Sequence, residues 1–112
     1  MLNFDYLNEV TGGDREFIAE LLSDFLSLVP GLLAQMEQAV QAGDASLLQH
    51  AAHTLKGSAR SIGAESFAAS ALTLEQLGRS AQLENAPEAL QQLLQQWEQL
   101  RGYLHTQLQQ AA

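Results

Sequence analysis

Residues 52–63 read AHTLKGSARSIG, and the rest of the chain can be placed around this stretch. On a helix of about 3.6 residues per turn, the apolar residues of this region form one stripe: Leu48, Ala52, Leu55, Ala59 and Ile62. The opposite side carries polar residues and a glycine: Gln49, His53, Lys56, Gly57 and Arg60. The pattern predicts an amphipathic helix on which the His53 imidazole points outward.

Gly57 is an unusual residue for the interior of such a helix. Glycine there costs about 0.5–1 kcal/mol relative to alanine. Because Gly57 follows His53 by four residues, it lies one turn further along the same side. We interpret this glycine as bare backbone that lets another molecule approach the imidazole ring.

The remaining chain predicts further amphipathic helices separated by short joints. The expected elements are a short helix or turn over Met1 to Val10 and helices over Arg15–Ala42, Ala45–Ile62, Ala64 to Gly78 or Arg79, and Pro87–Gln109. The second helix carries an apolar core stripe: Phe17/Ile18, Leu21/Leu22, Phe25, Leu28/Val29, Leu32/Leu33, Met36 and Val40. Pro30 predicts a kink or break near Val29, and the stripe that continues on both sides favours a kink.

We expect an all-α fold with a single domain over residues 1–112: an antiparallel up-and-down four-helix bundle with a short N-terminal helix covering one end.

Composition limits the possible partners and compartments. The chain has 112 residues, no cysteine and a net charge of −8, which argues against nucleic acid and anionic membranes as partners. No stretch approaches the roughly 18 apolar residues of a membrane span. We therefore expect a soluble, cytoplasmic protein. As a separate expectation, the protein is a monomer.

The surroundings of His53 favour phosphoryl chemistry. No Asp or Glu occurs between Asp44 and Glu65, whereas Lys56 and Arg60 lie within two turns of the histidine. An imidazole nitrogen is a competent nucleophile near neutral pH, and a lysine one turn away can neutralise phosphate oxygens. The chain has no Gly-rich nucleotide cradle and no clustered aspartates. A partner would therefore have to supply the phosphoryl donor and the Mg²⁺ ion, and we expect no cofactor of the chain's own.

The pattern His53-x-x-Lys56-Gly57-Ser58-Ala59-x-x-Ile62-Gly63 resembles the signature of histidine-containing phosphotransfer (HPt) domains of multistep two-component phosphorelays. The resemblance implies that His53 carries a phosphoryl group between receiver-domain aspartates of response regulators, with a hybrid sensor kinase and a downstream regulator as the expected partners. It further implies that Lys56 neutralises the phosphate and that Gly57 permits docking. The expected supporting residues are Arg60, Glu75 and Arg79. Ala68 and Leu72 are expected to be exposed apolar residues that form the interface with the receiver. Arg60 departs from the small or neutral residue that is common at its position, and we expect it to influence partner choice.

Several other interpretations stay open at this point. The chain could be an acidic helical module that docks a partner without covalent chemistry. An enzyme such as a phosphatase or kinase is less well supported, because no metal or nucleotide site is visible in the sequence. His50 and His53 could bind a metal together, although no carboxylate set supports this. Glu75 could be simply a solvated charge.

Overall fold

The computed structural model describes residues 1–111, and its elements are five α-helices and one 3₁₀ turn. The helices are α1 (Phe4–Thr11), α2 (Arg15–Ala42), α3 (Ala45–Ser61), α4 (Glu65–Arg79) and α5 (Ala86–Ala111), with the 3₁₀ turn at Leu83–Asn85. No strand occurs in this range. The all-α prediction is confirmed, and the predicted helix ends lie within a few residues of the observed ones.

Side-chain caps and glycines define most of the helix ends. The carboxylate of Asp14 accepts hydrogen bonds from the first turn of α2, and that of Asp44 accepts one from Leu47 at the start of α3. Gly43 ends α2 in the left-handed conformation, with φ of +68°. Such caps pair backbone groups that a helix end leaves free, which is why these breaks could be read from the sequence.

Pro30 does not break α2. The helix runs without interruption from Arg15 to Ala42, and Pro30 is exposed on its outer side. Val29 and Leu33, on either side of the proline, are buried in the core. The continuity of the apolar stripe therefore outweighs the backbone hydrogen bond that proline cannot donate.

The four long helices form a closed ring around the core. α2 and α4 each pack against both α3 and α5, so that neighbours in the chain are also neighbours in space. Phe25, Phe67 and Trp97 meet inside the ring, with ring centroids 5.9–6.2 Å apart. The predicted stripe of α3 is buried throughout. The bundle prediction is thus confirmed.

In two of the pairs on the predicted α2 stripe, Phe17/Ile18 and Leu28/Val29, the packing separates the two residues. Val29 is buried and Ile18 is half-buried, whereas Phe17 and Leu28 are exposed.

By length and composition alone, α2 could span a membrane, contrary to the expectation that no stretch approaches this limit. Its buried residues face the neighbouring helices, and a core helix of a soluble bundle has the same composition.

The N-terminal segment is attached to the turn between α3 and α4. The backbone N–H of Asn3 donates to the carbonyl of Gly63 at 3.0 Å, and Leu7 of α1 is fully buried. Gly63 has φ of +75°, and a Cβ at this position would lie 2.9 Å from the Asn3 nitrogen. Glycine is needed here both for the conformation and for the close contact.

A second glycine brings α3 and α4 together. A Cβ at Gly78 of α4 would lie 2.6 Å from the backbone nitrogen of Gln49 and 2.8 Å from the carbonyl oxygen of Ala45, both on α3. Only a residue without a side chain allows this approach. The close packing places the C-terminal part of α4 directly against the first turns of α3, the helix that carries His53.

Candidate functional site

His53 lies midway along α3 with its side chain 65% exposed. Its outward position follows from the periodicity of α3, whose opposite face is buried in the core. The ring is nevertheless fixed on one side, because Nδ1 lies 2.8 Å from Oε2 of Glu75 on α4. The imidazole is therefore accessible from solvent and oriented by the neighbouring helix.

Glu75 is the buried centre of a charged cluster. Its side chain is only 2% exposed, and two cations reach it in addition to His53. The Lys56 ammonium forms an ion pair with Oε1 at 2.6 Å, and the Arg79 guanidinium donates to Oε2 at 3.0 Å. The interpretation of Glu75 as a solvated charge is therefore wrong.

The cluster keeps the Glu75 carboxyl group ionised. Burial by itself raises the pKa of Glu75, because a low-dielectric environment disfavours the charged form. The contacts with Lys56 and His53 act in the opposite direction and outweigh burial, so that the pKa lies below its ordinary value of 4.5. At neutral pH the group is a carboxylate that can only accept hydrogen bonds.

This carboxylate assigns the tautomer of His53. Since Oε2 cannot donate, the proton of the contact belongs to Nδ1, and the Nδ1–H group donates to Glu75. In the neutral ring, Nε2 then carries a free electron pair. Nδ1 is occupied by Glu75, which leaves Nε2 as the nitrogen of the exposed ring whose electron pair is available.

Comparison with known proteins identifies the family. A sequence model described as "Hpt domain" matches residues 20–103, from α2 into α5. The chain belongs to the Hpt domain family. This agrees with the resemblance drawn from residues 53–63, and it gives the chain a histidine phosphotransfer role in phosphorelays. Hpt domains are carriers rather than classical enzymes, and they work with receiver domains.

A solved structure supports the same assignment. The crystal structure of histidine-containing phosphotransfer protein B (HptB) from Pseudomonas aeruginosa PAO1 superposes with a TM-score of 0.90. The two sequences are 28% identical, and the match covers 97% of this Hpt domain and 95% of the HptB chain. The search of curated protein sequences gives no match.

Three further site residues were predicted on α3, and they differ in exposure and contacts in this Hpt domain. Lys56 is half-buried and directed at Glu75 rather than at open solvent. Gly57 is exposed, and a Cβ there would meet nothing within 4 Å, so packing within the chain does not require glycine. The same is true of Gly31 and Gly102. Arg60 is exposed and is not among the cations that reach Glu75.

One of the two interface residues predicted on α4 is not available to a partner. Ala68 is buried against the core of this Hpt domain, so the expectation that it is exposed is wrong. Leu72 is half-buried. The periodicity of α4 alone could not tell which of its two faces lies against α3.

A polar recess of about 360 Å³ adjoins His53 on the side of the preceding helical turn; its lining residues are Ser46, Gln49, His50, His53, Glu75 and Arg79. His50 is exposed at its edge. Within residues 1–111, no three His, Cys, Asp or Glu side chains converge in a way that could hold a metal ion. The recess is therefore bordered by two histidines and one arginine, with a single carboxylate at its base.

The burial of Glu75 was missed in the sequence, although a signal for it exists. Ala68, Ala71, Glu75 and Gly78 follow 3–4 spacing on α4, and all four are buried. A lone glutamate among small residues at helical spacing indicates a closely packed face, and a buried carboxylate there needs cationic partners. Lys56 and Arg79 meet that need in this Hpt domain.

Proposed function

We propose that this Hpt domain accepts a phosphoryl group on Nε2 of His53 from a receiver-domain aspartate and passes it to an aspartate of a second receiver. The observation that supports this proposal is the exposed ring of His53, whose Nδ1 is held by the buried Glu75 carboxylate. We further propose a hybrid sensor kinase as the source of one receiver and a downstream regulator as the other. The protein acts as a cytoplasmic monomer in this proposal.

The proposed transfer uses the electron pair on Nε2. This pair attacks the phosphorus of the aspartyl phosphate, the bond between phosphorus and the aspartyl oxygen breaks, and its electrons stay on the released carboxylate. The proton on Nδ1 remains in place, so the ring becomes positively charged as the bond forms. Glu75, at 2.8 Å from Nδ1, offsets this charge. Delivery to the second receiver follows the same steps in reverse.

The charges of the cluster suit an incoming phosphoryl group. The Glu75 carboxylate is faced by two permanent cations, Lys56 and Arg79, and the form of the His53 ring that has an electron pair on Nε2 adds no charge. The cluster therefore carries a net charge of about +1 on a chain whose net charge is −8. We assign the Mg²⁺ ion of the reaction to the receiver, because the one carboxylate of the cluster is already paired with these cations.

Transfer of a radioactive phosphoryl group from a phosphorylated receiver tests the proposal. The label should appear on the wild-type chain in an acid-labile and alkali-stable form, and it should be absent from His53→Gln. His105→Gln is the matched control, because His105 is an exposed histidine on α5 that does not line the recess beside His53. This variant should accept the label as the wild type does.

Two results would contradict the proposal. Labelling of His53→Gln would show that the phosphoryl group is carried elsewhere. Binding of the receiver without any transfer to the wild-type chain would support the alternative, a module that docks a partner without covalent chemistry.

A further inference from the structure

The two cations that reach Glu75 are held in different ways. The Lys56 side chain is 14% exposed, and its ammonium pairs with Oε1 at the inner end of the cluster. The Arg79 side chain is 60% exposed, and its guanidinium pairs with Oε2. Lys56 is thus enclosed by the protein, whereas most of the Arg79 side chain is exposed to solvent.

Arg79 shares its carboxylate oxygen with the histidine. Since Nδ1 of His53 lies 2.8 Å and Nη2 of Arg79 lies 3.0 Å from Oε2, the two nitrogens are at most about 6 Å apart. Both side chains also line the polar recess beside His53. Lys56 contacts the other oxygen and does not line the recess.

We propose that Arg79 is the direct ligand of the phosphoryl group on His53, and that Lys56 is a positioning residue that stays paired with Glu75. This inference rests on the proposed function, because it concerns the phosphorylated form of His53. It exchanges the roles expected from the sequence, where Lys56 was the phosphate partner and Arg79 a supporting residue.

The burial of Glu75 decides between the two cations. If the Lys56 ammonium turned outward to a phosphoryl group, Oε1 would lose its ion-pair partner inside the protein, which is strongly unfavourable for a buried charge. If Arg79 turned outward, Oε2 would still accept the hydrogen bond from Nδ1 of His53. Guanidinium also has five N–H donors in a planar fork and can contact the carboxylate and the phosphoryl oxygens together.

The position of the recess is compatible with docking of a receiver. Its lining residues on α3, Ser46, Gln49 and His50, precede His53 in the chain. Gly57, with open space around it, follows His53 on the same helix. A phosphoryl group that rests against Arg79 therefore leaves the Gly57 side of the ring uncovered.

The equilibrium of phosphoryl transfer with a phosphorylated receiver tests the proposal, using the full chain and the variants Arg79→Gln and Lys56→Gln. Loss of a direct ligand removes about one hydrogen bond to a charged group from the phosphorylated form. Arg79→Gln should therefore lower the equilibrium constant for phosphorylation of His53 by roughly tenfold. Arg79→Lys should restore part of this loss. Lys56→Gln should lower the thermal midpoint of unfolding and change the equilibrium constant less than Arg79→Gln does.

Arg101→Gln is the matched control. Arg101 is an exposed helical arginine that pairs with Glu98 on α5, remote from His53 in sequence and absent from the recess. Its loss should leave the equilibrium constant unchanged. A ³¹P chemical-shift titration of the phosphorylated chain provides a second readout, because removal of a cation in contact with the phosphoryl group should move its midpoint to higher pH in Arg79→Gln.

The outcomes separate this inference from the proposed function. If the wild-type chain accepts no phosphoryl group on His53, the proposed function fails. If the wild type is phosphorylated but Arg79→Gln has the wild-type equilibrium constant and ³¹P midpoint, the assignment of Arg79 is overturned. A larger effect of Lys56→Gln than of Arg79→Gln on both readouts would overturn it as well.

Discussion

Gly78→Ala should destabilise the protein, although alanine is the better helix former. A Cβ at this position of α4 would lie 2.6 Å from the Gln49 nitrogen and 2.8 Å from the Ala45 carbonyl oxygen. Both atoms belong to the backbone of α3, so no side-chain rotation can relieve the contacts. The two helices would have to separate by several tenths of an ångström at least.

The size of the effect follows from two opposing terms. Replacing an interior helical glycine by alanine gains about 1 kcal/mol through helix propensity. Forcing an extra methyl group into a tightly packed contact costs about 1–3 kcal/mol, and occasionally more. Because these contacts are with backbone, we expect the upper part of that range and a net loss of about 1–2 kcal/mol.

Gly102→Ala is the matched control for this prediction. Gly102 lies inside α5, and a Cβ there would meet nothing within 4 Å. The same substitution should therefore stabilise the protein by about 0.5–1 kcal/mol. Urea denaturation followed by far-ultraviolet circular dichroism measures both variants on one scale. Gly78→Ala with a free energy of unfolding equal to or above that of the wild type would refute the packing argument.

Two further predictions concern the site itself. Glu75→Gln should lower the free energy of unfolding at pH 7 by about 1–3 kcal/mol. The pKa of Glu75 is depressed in the folded protein, so the stability that its charge supplies is present above pH 4.5. This stability is lost as the pH falls through the lower folded-state pKa. Urea denaturation at pH 7 and at a pH below the folded-state pKa of Glu75 should show a smaller difference between variant and wild type in acid. An equal difference at the two pH values would contradict this prediction. Gly57→Gln should slow phosphoryl transfer from a receiver by roughly tenfold or more without destabilising the helix, whereas Gly102→Gln should not alter the rate. Equal transfer rates for the two variants would remove the steric role of Gly57.

The helices could be predicted because local chemistry marks their ends. Asp14, Gly43 and Asp44 each stand where the backbone leaves or enters a helix, and each does so for a reason that involves only its immediate neighbours. Pro30 was harder to interpret. Its effect depends on whether the apolar face beyond it finds partners in the bundle, which is a property of the whole fold.

The site was predictable to the extent that it depends on one helix. The outward position of His53 and the inward stripe of α3 follow from helical periodicity alone. The burial of Glu75 and of Ala68 depends on how α4 is rotated against α3, and on the contact that Gly78 permits. No pattern within a single helix determines such a rotation.

The orientation of Lys56 could not be predicted for the same reason. In the sequence, Lys56 is one turn from His53 and has no acidic neighbour in its own helix, which favoured a role toward phosphate. In the structure its partner comes from α4, 19 positions later in the chain, and holds the ammonium at 2.6 Å. A charged side chain that has no partner in its own helix can thus be paired with a residue of the next helix.

The connection between α3 and α4 has little freedom to change its length. Only residues 62–64 join these helices, and Asn3 is hydrogen-bonded to the turn. An inserted residue there would rotate or slide one helix against the other and separate His53 from Glu75. The joints around residues 12–14 and 80–85 lie outside the segment that carries both side chains. Insertions and deletions at those joints can accumulate while the spacing of the two residues is preserved.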